Sequence, residues 1–464
     1  MTDKNIAVKL KCKSFSYGTE QDNLPEILEN FEIQINYGEI TLISGLSGSG
    51  KSTLLSLING IIPRVVNGNF KGEIFIDGKN SFGMSMSEIS QKIGTVLQNA
   101  EEQIIHQIVE DEIAFGCENF GFPADEISNQ IEKSCQIMQL NKNWKTRTLS
   151  GGQKQRLVSA STLAMKTPIL IFDEPLANLD VQGAKILLSL LKNLVAEGKA
   201  VVLVEHRLDV ILPFVDKIWE LKDKKLFLVN DKNEYLKSQI DIIKDSKENF
   251  VASKEFALEI QDLKKSFGKR EILKGLNFKI YKGERILLSG ENGSGKSTLL
   301  SIIGRLQKAD SGKIIQNLES KCNSRANKRW FKTCGIIFQN PNYQLFMPSV
   351  KEEILFAADD KSYALEIAEK LELTPLLDCH PHSLSEGQKR RLTVAAILAQ
   401  KPKLLLLDEP TVGQDYHTLQ KMITLINEIH RTQKNTIITI THDIRCTKSL
   451  CDRELKLKDG VIVE

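Results

Sequence analysis

ITLISGLSGSGKSTLLSLI, residues 40–58, carries the clearest structural pattern in the chain. Its first residues, ITLIS, are mostly apolar and predict a short buried strand. Its last residues, KSTLLSLI, have the pattern of a helix. Between them lies a glycine-rich turn with the pattern G-x-x-x-x-G-K-S, from Gly45 to Ser52. A strand that ends in such a turn and continues as a helix predicts an α/β fold.

The same pattern returns later in the chain. RILLSGENGSGKSTLLSII, residues 285–303, repeats the strand, the turn and the helix. Two further motifs are duplicated, LSGGQKQRL (149–157) as LSEGQKRRL (384–392) and ILIFDEP (169–175) as LLLLDEP (404–410). In both copies the aspartate of the second motif comes 23 positions after the serine of the first. The chain is therefore an internal duplication.

The duplication sets the predicted domain organisation. Each half has β-rich apolar runs, such as PILIFD and NTIITITH, that predict buried parallel strands covered by helices. Residues 237–254, between the halves, are polar and charged and predict a linker. We therefore predict a first domain at 1–236 and a second domain at 255–464.

The composition excludes several classes of protein. The chain of 464 residues is 41% hydrophobic and 26% charged, which is ordinary for a globular protein. A net charge of +3, with basic and acidic residues interleaved, is too mild to imply nucleic acid as a partner. The eight cysteines form no Cys-x-x-Cys pair, which argues against zinc and iron–sulfur sites. No run of about 18 apolar residues occurs, so we expect a soluble chain that does not span a membrane by itself.

The two glycine-rich turns are predicted phosphate loops. Glycines let backbone N–H groups close around phosphate oxygens, and the helix that follows points its positive end at the anion. Lys51 and Lys296 can then reach the β- and γ-phosphates, while the serines that follow them can bind Mg²⁺. The residues of these loops that we predict to bind nucleotide are Gly45, Gly48, Gly50, Lys51, Ser52, Thr53, Gly290, Gly293, Gly295, Lys296, Ser297 and Thr298.

An Asp-Glu pair ends an apolar run in each half, as Asp173-Glu174 and Asp408-Glu409. A buried strand delivers such carboxylates to the phosphate loop at the carboxyl edge of the sheet. The aspartate suits Mg²⁺, and the glutamate can polarise the attacking water as a general base. Taken alone, Asp-Glu-Pro after a strand is more often a turn. The fixed spacing to the other motifs favours the catalytic interpretation.

Further residues accompany these motifs in the same order in both halves. They are Gln98, Ser150-Gly151-Gly152-Gln153 and His206 in the first half, and Gln339, Ser385-Glu386-Gly387-Gln388 and His442 in the second. With them the chain resembles the ATP-binding-cassette family over nearly its whole length apart from the linker. The resemblance implies an α/β fold of two tandem cassettes, each with a RecA-like core, an antiparallel β-subdomain and a helical subdomain that carries the signature serine. It also implies ATP hydrolysis, with ATP and Mg²⁺ as cofactors.

In that family the signature loop of one domain closes over the ATP held by the other domain. The resemblance therefore implies that the two halves pair with each other within one chain and form two composite sites. The signature residues implied to complete these sites are Ser385, Gly387 and Gln388 for the first phosphate loop, and Ser150, Gly152 and Gln153 for the second.

Family likeness also gives roles to residues outside the loops. Gln98 and Gln339 would reach Mg²⁺ and the attacking water. His206 and His442 would contact the γ-phosphate. A lone histidine after a strand is more often a core or capped residue, but one follows the Asp-Glu pair in each half.

An aromatic residue stands at the same place in both halves, Tyr17 in KCKSFSYG and Phe267 in QDLKKSFG. An aromatic at this place in the family stacks on adenine, which gives tight but base-tolerant binding. A core aromatic is the alternative interpretation. We predict that both rings bind the nucleotide.

The segments after the two glutamines narrow the family further. Residues 97–123 and 338–357 share Q-N-x-x-x-Q followed by V-x-x-E-I-x-F, and they resemble the ATPases of energy-coupling-factor importers of vitamins or metal ions. The resemblance implies a transmembrane coupling subunit and a substrate-binding membrane subunit as partners, and a place at the cytoplasmic face of the membrane. Packing within the helical subdomain is the alternative role for the apolar residues of these segments. The transported substrate is not encoded in this chain, because the substrate contacts should lie on another polypeptide.

The second signature motif departs from the first, with Glu386 where the first has Gly151. A carboxylate turned toward the γ-phosphate would repel it, whereas one that points away would leave the loop able to work. We therefore expect a modest asymmetry, in which the site of Lys51 and the LSEGQ loop is the weaker one.

Other two-cassette proteins are alternatives to an energy-coupling-factor importer. ATPases of sugar importers with fused cassettes commonly lack catalytic residues in the second site, whereas this chain keeps them. Two-cassette factors that act on ribosomes carry a long basic helical linker, whereas residues 237–254 are few and mixed in charge. DNA-repair proteins with cassettes insert zinc modules or long coiled coils, which this sequence lacks.

Overall fold

The computed structural model describes residues 5–18, 24–176, 179, 181–240, 253–291, 293–318, 328–411, 413–441 and 449–463. Contacts between residues divide the chain into two compact units, Met1–Ile240 and Asp241–Glu464. The domain limits given above stay a prediction. A helix at Lys232–Ile240 continues into the first residues of the expected linker, and residues 241–252 lie outside the described part of the chain.

The first unit combines two sheets with helices. Its strands are β1 (Ile6–Tyr17), β2 (Leu28–Asn36), β3 (Ile40–Gly45), β4 (Gly68–Ile76), β5 (Lys79–Asn80), β6 (Ile93–Val96), β7 (Ile169–Asp173), β8 (Ala200–Val204), β9 (Lys217–Lys222) and β10 (Lys225–Leu228). Its helices are α1 (Lys51–Ile58), α2 (Ile61–Arg64), α3 (Met86–Lys92), α4 (Ala100–Gln103), α5 (Val109–Asn119), α6 (Ala124–Met138), α7 (Gly151–Ala164), α8 (Val181–Ala196), α9 (Leu208–Ile211) and α10 (Lys232–Ile240). Among the described residues, one sheet has the order β2-β1-β4-β5 and the other β10-β9-β3-β8-β7-β6.

The second unit repeats this plan. Its strands are β11 (Phe256–Phe267), β12 (Arg270–Tyr281), β13 (Arg285–Ser289), β14 (Ser311–Gln316), β15 (Cys334–Ile337), β16 (Leu404–Asp408), β17 (Thr436–Ile440), β18 (Arg453–Lys458) and β19 (Val461–Val463). Its helices are α11 (Lys296–Ile303), α12 (Lys328–Thr333), α13 (Val350–Leu355), α14 (Lys361–Lys370), α15 (Glu386–Leu398) and α16 (Tyr416–Gln433). In the part that the structure describes, the sheets have the orders β12-β11-β14 and β15-β16-β17-β13-β18-β19.

The central sheet of each unit is parallel apart from one edge strand. In the first unit β3 pairs in parallel with β8 and β9, and β7 pairs in parallel with β6 and β8, while β10 is antiparallel to β9. Every residue of β7, β8, β16 and β17 is buried, which explains why these strands read as continuous apolar runs. The smaller sheet of each unit is antiparallel. Both features agree with the predicted core and β-subdomain.

Packing divides each unit into layers. In the first unit one core joins the antiparallel sheet, helix α1 and strands of the parallel sheet. In the second unit a corresponding core surrounds α11, and another core joins α13, α14, α15 and α16. The helical subdomain that the resemblance implies lies between the glutamine and the signature serine of each unit. It contains α4, α5 and α6 in the first unit, and α13 and α14 in the second.

Strand order determines where the functional residues meet. In the first unit β8 lies between β3 and β7, and in the second unit β17 lies between β13 and β16. The phosphate loop follows β3 or β13, and the Asp-Glu pair ends β7 or β16. Because neighbouring parallel strands end at the same edge, these motifs come together at the carboxyl edge of each sheet.

Candidate functional site

The first phosphate loop wraps around its own lysine. Lys51 begins α1, and its Nζ donates hydrogen bonds to the carbonyl oxygens of Gly45 at 2.9 Å and Leu46 at 2.8 Å. Gly45 has a φ of +144°, and a Cβ there would lie 2.4 Å from the backbone oxygen of Leu221. The loop therefore needs glycine at this position.

The second phosphate loop has the same geometry. The Nζ of Lys296 donates to the carbonyl oxygens of Gly290 at 2.8 Å and Glu291 at 2.9 Å. A Cβ on Gly290, whose φ is +145°, would lie 2.2 Å from the backbone oxygen of Leu457. Both lysines are buried at the start of a helix, so each loop presents a fixed positive charge beside backbone N–H groups. Such a loop is suited to bind a polyphosphate.

The serine after each lysine contacts the aspartate at the end of the neighbouring strand. Ser52 hydrogen-bonds the side chain of Asp173, and Ser297 hydrogen-bonds that of Asp408. Asp173 is buried, and its Oδ1 has no hydrogen-bond partner among the described residues. A buried carboxylate oxygen of this kind beside a hydroxyl fits the oxygen ligands that Mg²⁺ prefers.

Burial shifts the protonation of both aspartates. It raises the pKa of Asp173 to about 7, helped by the negative charge of Glu174 and opposed by the hydrogen bond from Ser52. Burial also raises the pKa of Asp408, against the hydrogen bond from Ser297 and the charges of Lys296 and Arg390. A bound cation would favour the ionised form of both side chains.

We expect Asp173→Asn to raise the melting temperature of the nucleotide-free protein, and the gain to be larger at pH 8 than at pH 5. A raised pKa favours the folded state below about pH 4, the ordinary pKa of the group, and this contribution is lost as the pH rises to about 7. The amide removes that loss. Thermal unfolding in a chelating buffer measures it, with the exposed Asp209→Asn as control. A gain that does not depend on pH would contradict the raised pKa of Asp173.

Glu174 is held in a constrained conformation beside His206. Its φ is +50°, its N–H donates to the carbonyl of Val204 at 2.9 Å, and its Oε1 lies 3.3 Å from Nε2 of His206. Burial alone would raise the pKa of Glu174, but His206, Lys51 and a hydrogen bond with Gln98 outweigh burial and lower the pKa. The side chain is therefore a carboxylate near neutral pH. A buried carboxylate can accept a proton from an attacking water.

Glu409 has the same backbone geometry in the second unit. Its φ is +49°, and its N–H donates to the carbonyl of Ile440 at 2.8 Å. His442, predicted to contact the γ-phosphate, lies outside the described residues. The predicted roles of the two glutamates, the two glutamines and His206 stay predictions, but within the first unit the structure brings Gln98, Glu174 and His206 together.

The signature residues form their own cluster at the start of a helix in each unit. Ser150 caps α7 by accepting a hydrogen bond from the backbone N–H of Gln153 at 3.3 Å, and its own N–H donates to Oε1 of Gln153 at 2.8 Å. Ser385 and Gln388 make the same two bonds at the start of α15, at 3.3 Å and 2.9 Å. Both units therefore have the same capping box, and Gly152 and Gly387 lie in the first turn of the helix that it begins.

Glu386 forms an ion pair within its own helix. Its Oε1 lies 3.0 Å from Nζ of Lys389. In the first unit the corresponding Lys154 pairs instead with Glu101 of α4, at 2.5 Å. The lysine at this position thus has its carboxylate partner in the segment after the glutamine in the first unit, and in the signature motif in the second unit. The pair offsets part of the negative charge of Glu386, and the expected asymmetry between the two sites stays a prediction.

The two predicted adenine-binding rings differ in their surroundings. Tyr17 is half-buried, its OH lies 2.8 Å from Oγ1 of Thr53, and its ring meets Phe15 edge to face at 5.1 Å. Phe267 is 51% exposed, with Nζ of Lys265 at 5.6 Å from the ring centroid. The ring of Phe267 is therefore accessible for stacking, and the hydroxyl of Tyr17 connects its strand to the helix after the phosphate loop.

Several residues near the site have a structural role that the sequence motifs did not assign to them. The last glutamine of each Q-N-x-x-x-Q motif bridges the end of a core strand: Gln103 accepts from the N–H of Leu97 at 2.6 Å and donates to Thr95 O at 3.1 Å. Gln344 does the same with Phe338 and Ile336. The equal spacing of the two motifs was the signal that could have indicated this role.

The last helix of the first unit reaches the strand before the phosphate loop. The hydroxyl of Tyr235, on α10, lies 3.0 Å from Oγ of Ser44 and 3.3 Å from Oε1 of Glu220. Tyr235 is buried, and Ser44 directly precedes Gly45. The end of the unit is thus connected to the base of the phosphate loop.

Within the described part of the chain, none of the helices combines the length and apolarity needed to cross a membrane.

The family model described as ABC transporter matches the chain twice, over residues 28–177 and 273–412. Each match contains one phosphate loop, one signature motif and one Asp-Glu pair.

Relatives match the chain over almost its whole length. A Treponema denticola protein, provisionally named as an ABC transporter ATP-binding protein, is 32% identical over 480 residues, which cover 98% of this chain and 96% of that protein. A Bacillus subtilis (strain 168) protein carries the provisional name HMP/thiamine import ATP-binding protein YkoD. It is 33% identical over 494 residues, which cover 97% of this chain and 90% of that protein.

Solved structures share the fold at lower identity. The complex of the archaeal ribosomal stalk protein aP1 and the ribosome recycling factor aABCE1 contains a chain with a TM-score of 0.67 and 19% identity, covering 97% of this chain and 89% of that one. This likeness concerns the fold alone, and it confirms the predicted α/β fold with two tandem cassettes. We conclude that the chain belongs to the ABC transporter family and that it is an ATPase with two ATP-binding cassettes in one polypeptide.

Proposed function

We propose that the chain powers an energy-coupling-factor type importer for a vitamin or a metal ion, with each ATP bound between the phosphate loop of one half and the signature loop of the other. In this proposal the ATPase works at the cytoplasmic face of the membrane. It is attached there through a transmembrane coupling subunit, which works with a substrate-binding membrane subunit.

The observation that carries the proposal is a set of exposed large apolar side chains in the corresponding segment of each helical subdomain, here called the apolar surface of that subdomain. In the second unit Tyr343, Phe346 and Phe356 are 63%, 75% and 72% exposed. In the first unit Ile105 is 67% exposed and Phe115 38% exposed. Large apolar side chains grouped on a surface are typical of contact sites for another protein. Both groups lie in the segments that resemble the importer ATPases.

A buried glutamate shapes each surface. Oε2 of Glu112 accepts hydrogen bonds from the N–H groups of Ile105 at 2.9 Å and His106 at 2.7 Å. Oε2 of Glu353 accepts from Phe346 and Met347, each at 2.8 Å. The glutamate of the V-x-x-E-I-x-F motif thus holds the preceding loop in a fixed conformation. A fixed loop can present an apolar side chain outward at little cost in conformational entropy.

The chemistry proposed for each site follows from the residues around its phosphate loop. Lys51 and the backbone N–H groups would bind the β- and γ-phosphates, and Ser52, Asp173 and Gln98 would hold Mg²⁺. Mg²⁺ would supply positive charge beside the transferred phosphoryl group. Glu174 would accept the proton of the attacking water while His206 holds its carboxylate. Lys296, Ser297, Asp408, Gln339 and Glu409 would act in the same way at the second site.

The full-length relatives agree with a role in transport. The name of the Bacillus subtilis protein refers to import of HMP or thiamine, and that protein is similar to this chain over 97% of its residues. Vitamin precursors are therefore a reasonable first substrate class to test.

We expect the chain to sediment with membranes of the cells that produce it, and Phe346→Asp with Phe356→Asp to release it. Each exposed ring would contribute about 1.5–3 kcal/mol when buried by a partner, so the double variant should weaken attachment more than tenfold. Phe331→Asp, a change at a 43% exposed phenylalanine of α12, is the control. Copurification of the membrane subunits and ATP hydrolysis by the purified chain are the two measurements.

Both variants should hydrolyse ATP within about twofold of the unchanged protein, because surface substitutions rarely alter the folded state. A chain that stays out of the membrane fraction and sediments with ribosomes would overturn the importer proposal. Equal release of the control and the double variant would show that the apolar surfaces do not make the attachment.

A further inference from the structure

We propose that Arg390 is a positioning residue for ATP hydrolysis at the second phosphate loop. Its guanidinium would fix the relative positions of Gln339 and Glu409, the two residues that act on the attacking water. The inference rests on the roles proposed for these two residues and does not depend on the importer assignment.

Arg390 connects three elements of the second unit. It belongs to α15, the signature helix, and is buried. Its Nη1 donates to the backbone oxygen of Glu409 at 2.8 Å, and its Nη2 donates to the backbone oxygen of Gln339 at 2.6 Å. One rigid planar group therefore sets the spacing between the segment that carries the glutamine and the end of β16. Hydrogen bonds from a charged donor are the stronger class, so this link is stiff.

The bond to Glu409 completes a constraint on that residue. Its N–H is already bound to the carbonyl of Ile440, and its backbone is in the left-handed region with a φ of +49°. A non-glycine residue in this region is strained and needs surrounding contacts to stay there. With Arg390 on its carbonyl, both the N–H and the oxygen of Glu409 are held. This backbone conformation fixes the direction of the Cα–Cβ bond from which the side chain starts.

A second polar link joins the same helix to the loop after the Asp-Glu pair. The Nε2 of Gln414, a fully buried side chain, donates to the backbone oxygen of Gly387 at 3.2 Å. Gly387 lies in the first turn of α15, close to the signature serine. The signature helix is thus connected by side chains to the glutamine segment, to the catalytic glutamate and to the following loop.

The first unit has different residues at both positions. Gln155 occupies the place of Arg390 and Leu179 the place of Gln414. Gln155 is fully buried, and neither its Oε1 nor its Nε2 has a hydrogen-bond partner among the residues that the structure describes. The first unit instead connects α7 to the glutamine segment by the ion pair of Lys154 with Glu101, whose side chain is 53% exposed. Because solvent reaches the carboxylate of Glu101, although the side chain of Lys154 is only 16% exposed, this ion pair is a weaker link than the buried bonds of Arg390.

This difference gives the two sites unequal positioning. Displacing a catalytic group by about 1 Å can lower the rate on the order of 100-fold. Because the hydrogen bonds from Arg390 fix Glu409 and Gln339, their loss should affect the chemical step more than the affinity for ATP. We expect Arg390→Gln, which installs the residue of the first unit, to lower kcat at the second site by about 10- to 100-fold. KM for ATP should change by less than about threefold, because the substitution leaves the phosphate loop intact.

The test uses the full chain with Glu174→Gln, so that hydrolysis comes mainly from the second site. Arg391→Gln is the matched control, because Arg391 is the next residue on α15, is also buried, and donates to Leu371 O at 2.9 Å instead of to the site. kcat, KM and the melting temperature are measured for each variant. Arg391→Gln should lower the melting temperature and leave kcat within about threefold, because its bonds lie away from Gln339 and Glu409.

Arg390→Lys keeps one charged donor and should recover part of kcat; it also serves where Arg390→Gln does not fold. Full kcat in Arg390→Gln, or equal loss of kcat and stability in the two arginine variants, would overturn the proposal. A further variant separates this from an error in the site itself. If Glu409→Gln leaves the remaining hydrolysis unchanged, Glu409 is not the general base of the second site. If Glu409→Gln abolishes this hydrolysis while Arg390→Gln keeps full activity, only the role of Arg390 is rejected.

Discussion

Glu174→Gln and Glu409→Gln should each slow hydrolysis at their own site by roughly 10²- to 10⁴-fold, the effect of removing a general base. Glutamine keeps the shape of the side chain but cannot accept a proton from water. The folded state should tolerate both changes, because glutamine has almost the same volume as glutamate at these buried positions, where the residues are 7% and 9% exposed. Single-turnover rates with one site inactivated at a time measure the loss.

The exposed Glu197→Gln, near the end of α8, is the control and should leave the rate unchanged. Comparing the two variants also tests the asymmetry between the sites. The link through Arg390 and the change at Glu386 both lead us to expect the site of Lys51 to be the weaker one, so Glu409→Gln should cost more of the total activity than Glu174→Gln. Equal losses would reject asymmetry. A rate that survives both substitutions together would show that neither glutamate is the base.

Gly45→Ala should strongly weaken nucleotide binding at the first phosphate loop. Its φ of +144° is unfavourable for alanine, and the new Cβ would lie 2.4 Å from the backbone oxygen of Leu221. Strain of about 1–2 kcal/mol and crowding of about 1–3 kcal/mol would push the loop out of the conformation that binds phosphate. Together these costs correspond to a loss of affinity of about 30-fold to several thousandfold. Nucleotide bound at moderate concentration should therefore fall from two molecules per chain to one.

Gly198→Ala is the matched control for this prediction. Gly198 also has a positive φ, +89°, but a Cβ there would meet nothing within 4 Å. It should lose about 1–2 kcal/mol of stability from strain and keep both nucleotides. Equilibrium binding of a fluorescent ATP analogue counts the sites. Two sites of unchanged affinity in Gly45→Ala would mean that the loop does not hold phosphate through its backbone.

The phosphate loops and the Asp-Glu pairs could be located from the sequence because short motifs fix them. A strand, a glycine-rich turn and a helix in succession have one common geometry, and the repeat showed the same motifs twice in the same order, with equal spacing from the signature serine to the aspartate. The parallel order of the strands then followed from the buried apolar runs. The capping boxes of Ser150 and Ser385 are local as well, since each serine bonds a residue three positions away.

The links around the site depend on side chains that are distant in sequence, so no local pattern indicates them. Arg390 reaches a carbonyl 51 residues away, and Gln414 reaches one 27 residues away. The ion pair of Glu386 with Lys389 is local, but it could not be predicted either, because the corresponding Lys154 pairs with Glu101 in the other repeat. Tyr17 and Phe267 occupy equivalent positions, yet the hydroxyl of Tyr17 ties it to α1, and a phenylalanine cannot make that bond.

The contact of Tyr235 with Ser44 has a practical consequence for separating the two halves. A fragment cut at residue 236 would remove the last turn of α10 and loosen the helix that carries Tyr235. Such a fragment would bind ATP poorly because of the cut, and its inactivity would wrongly be blamed on the missing partner. Fragments for complementation should therefore extend past Ile240, so that any activity regained on mixing reports assembly of the halves and not repair of a damaged end.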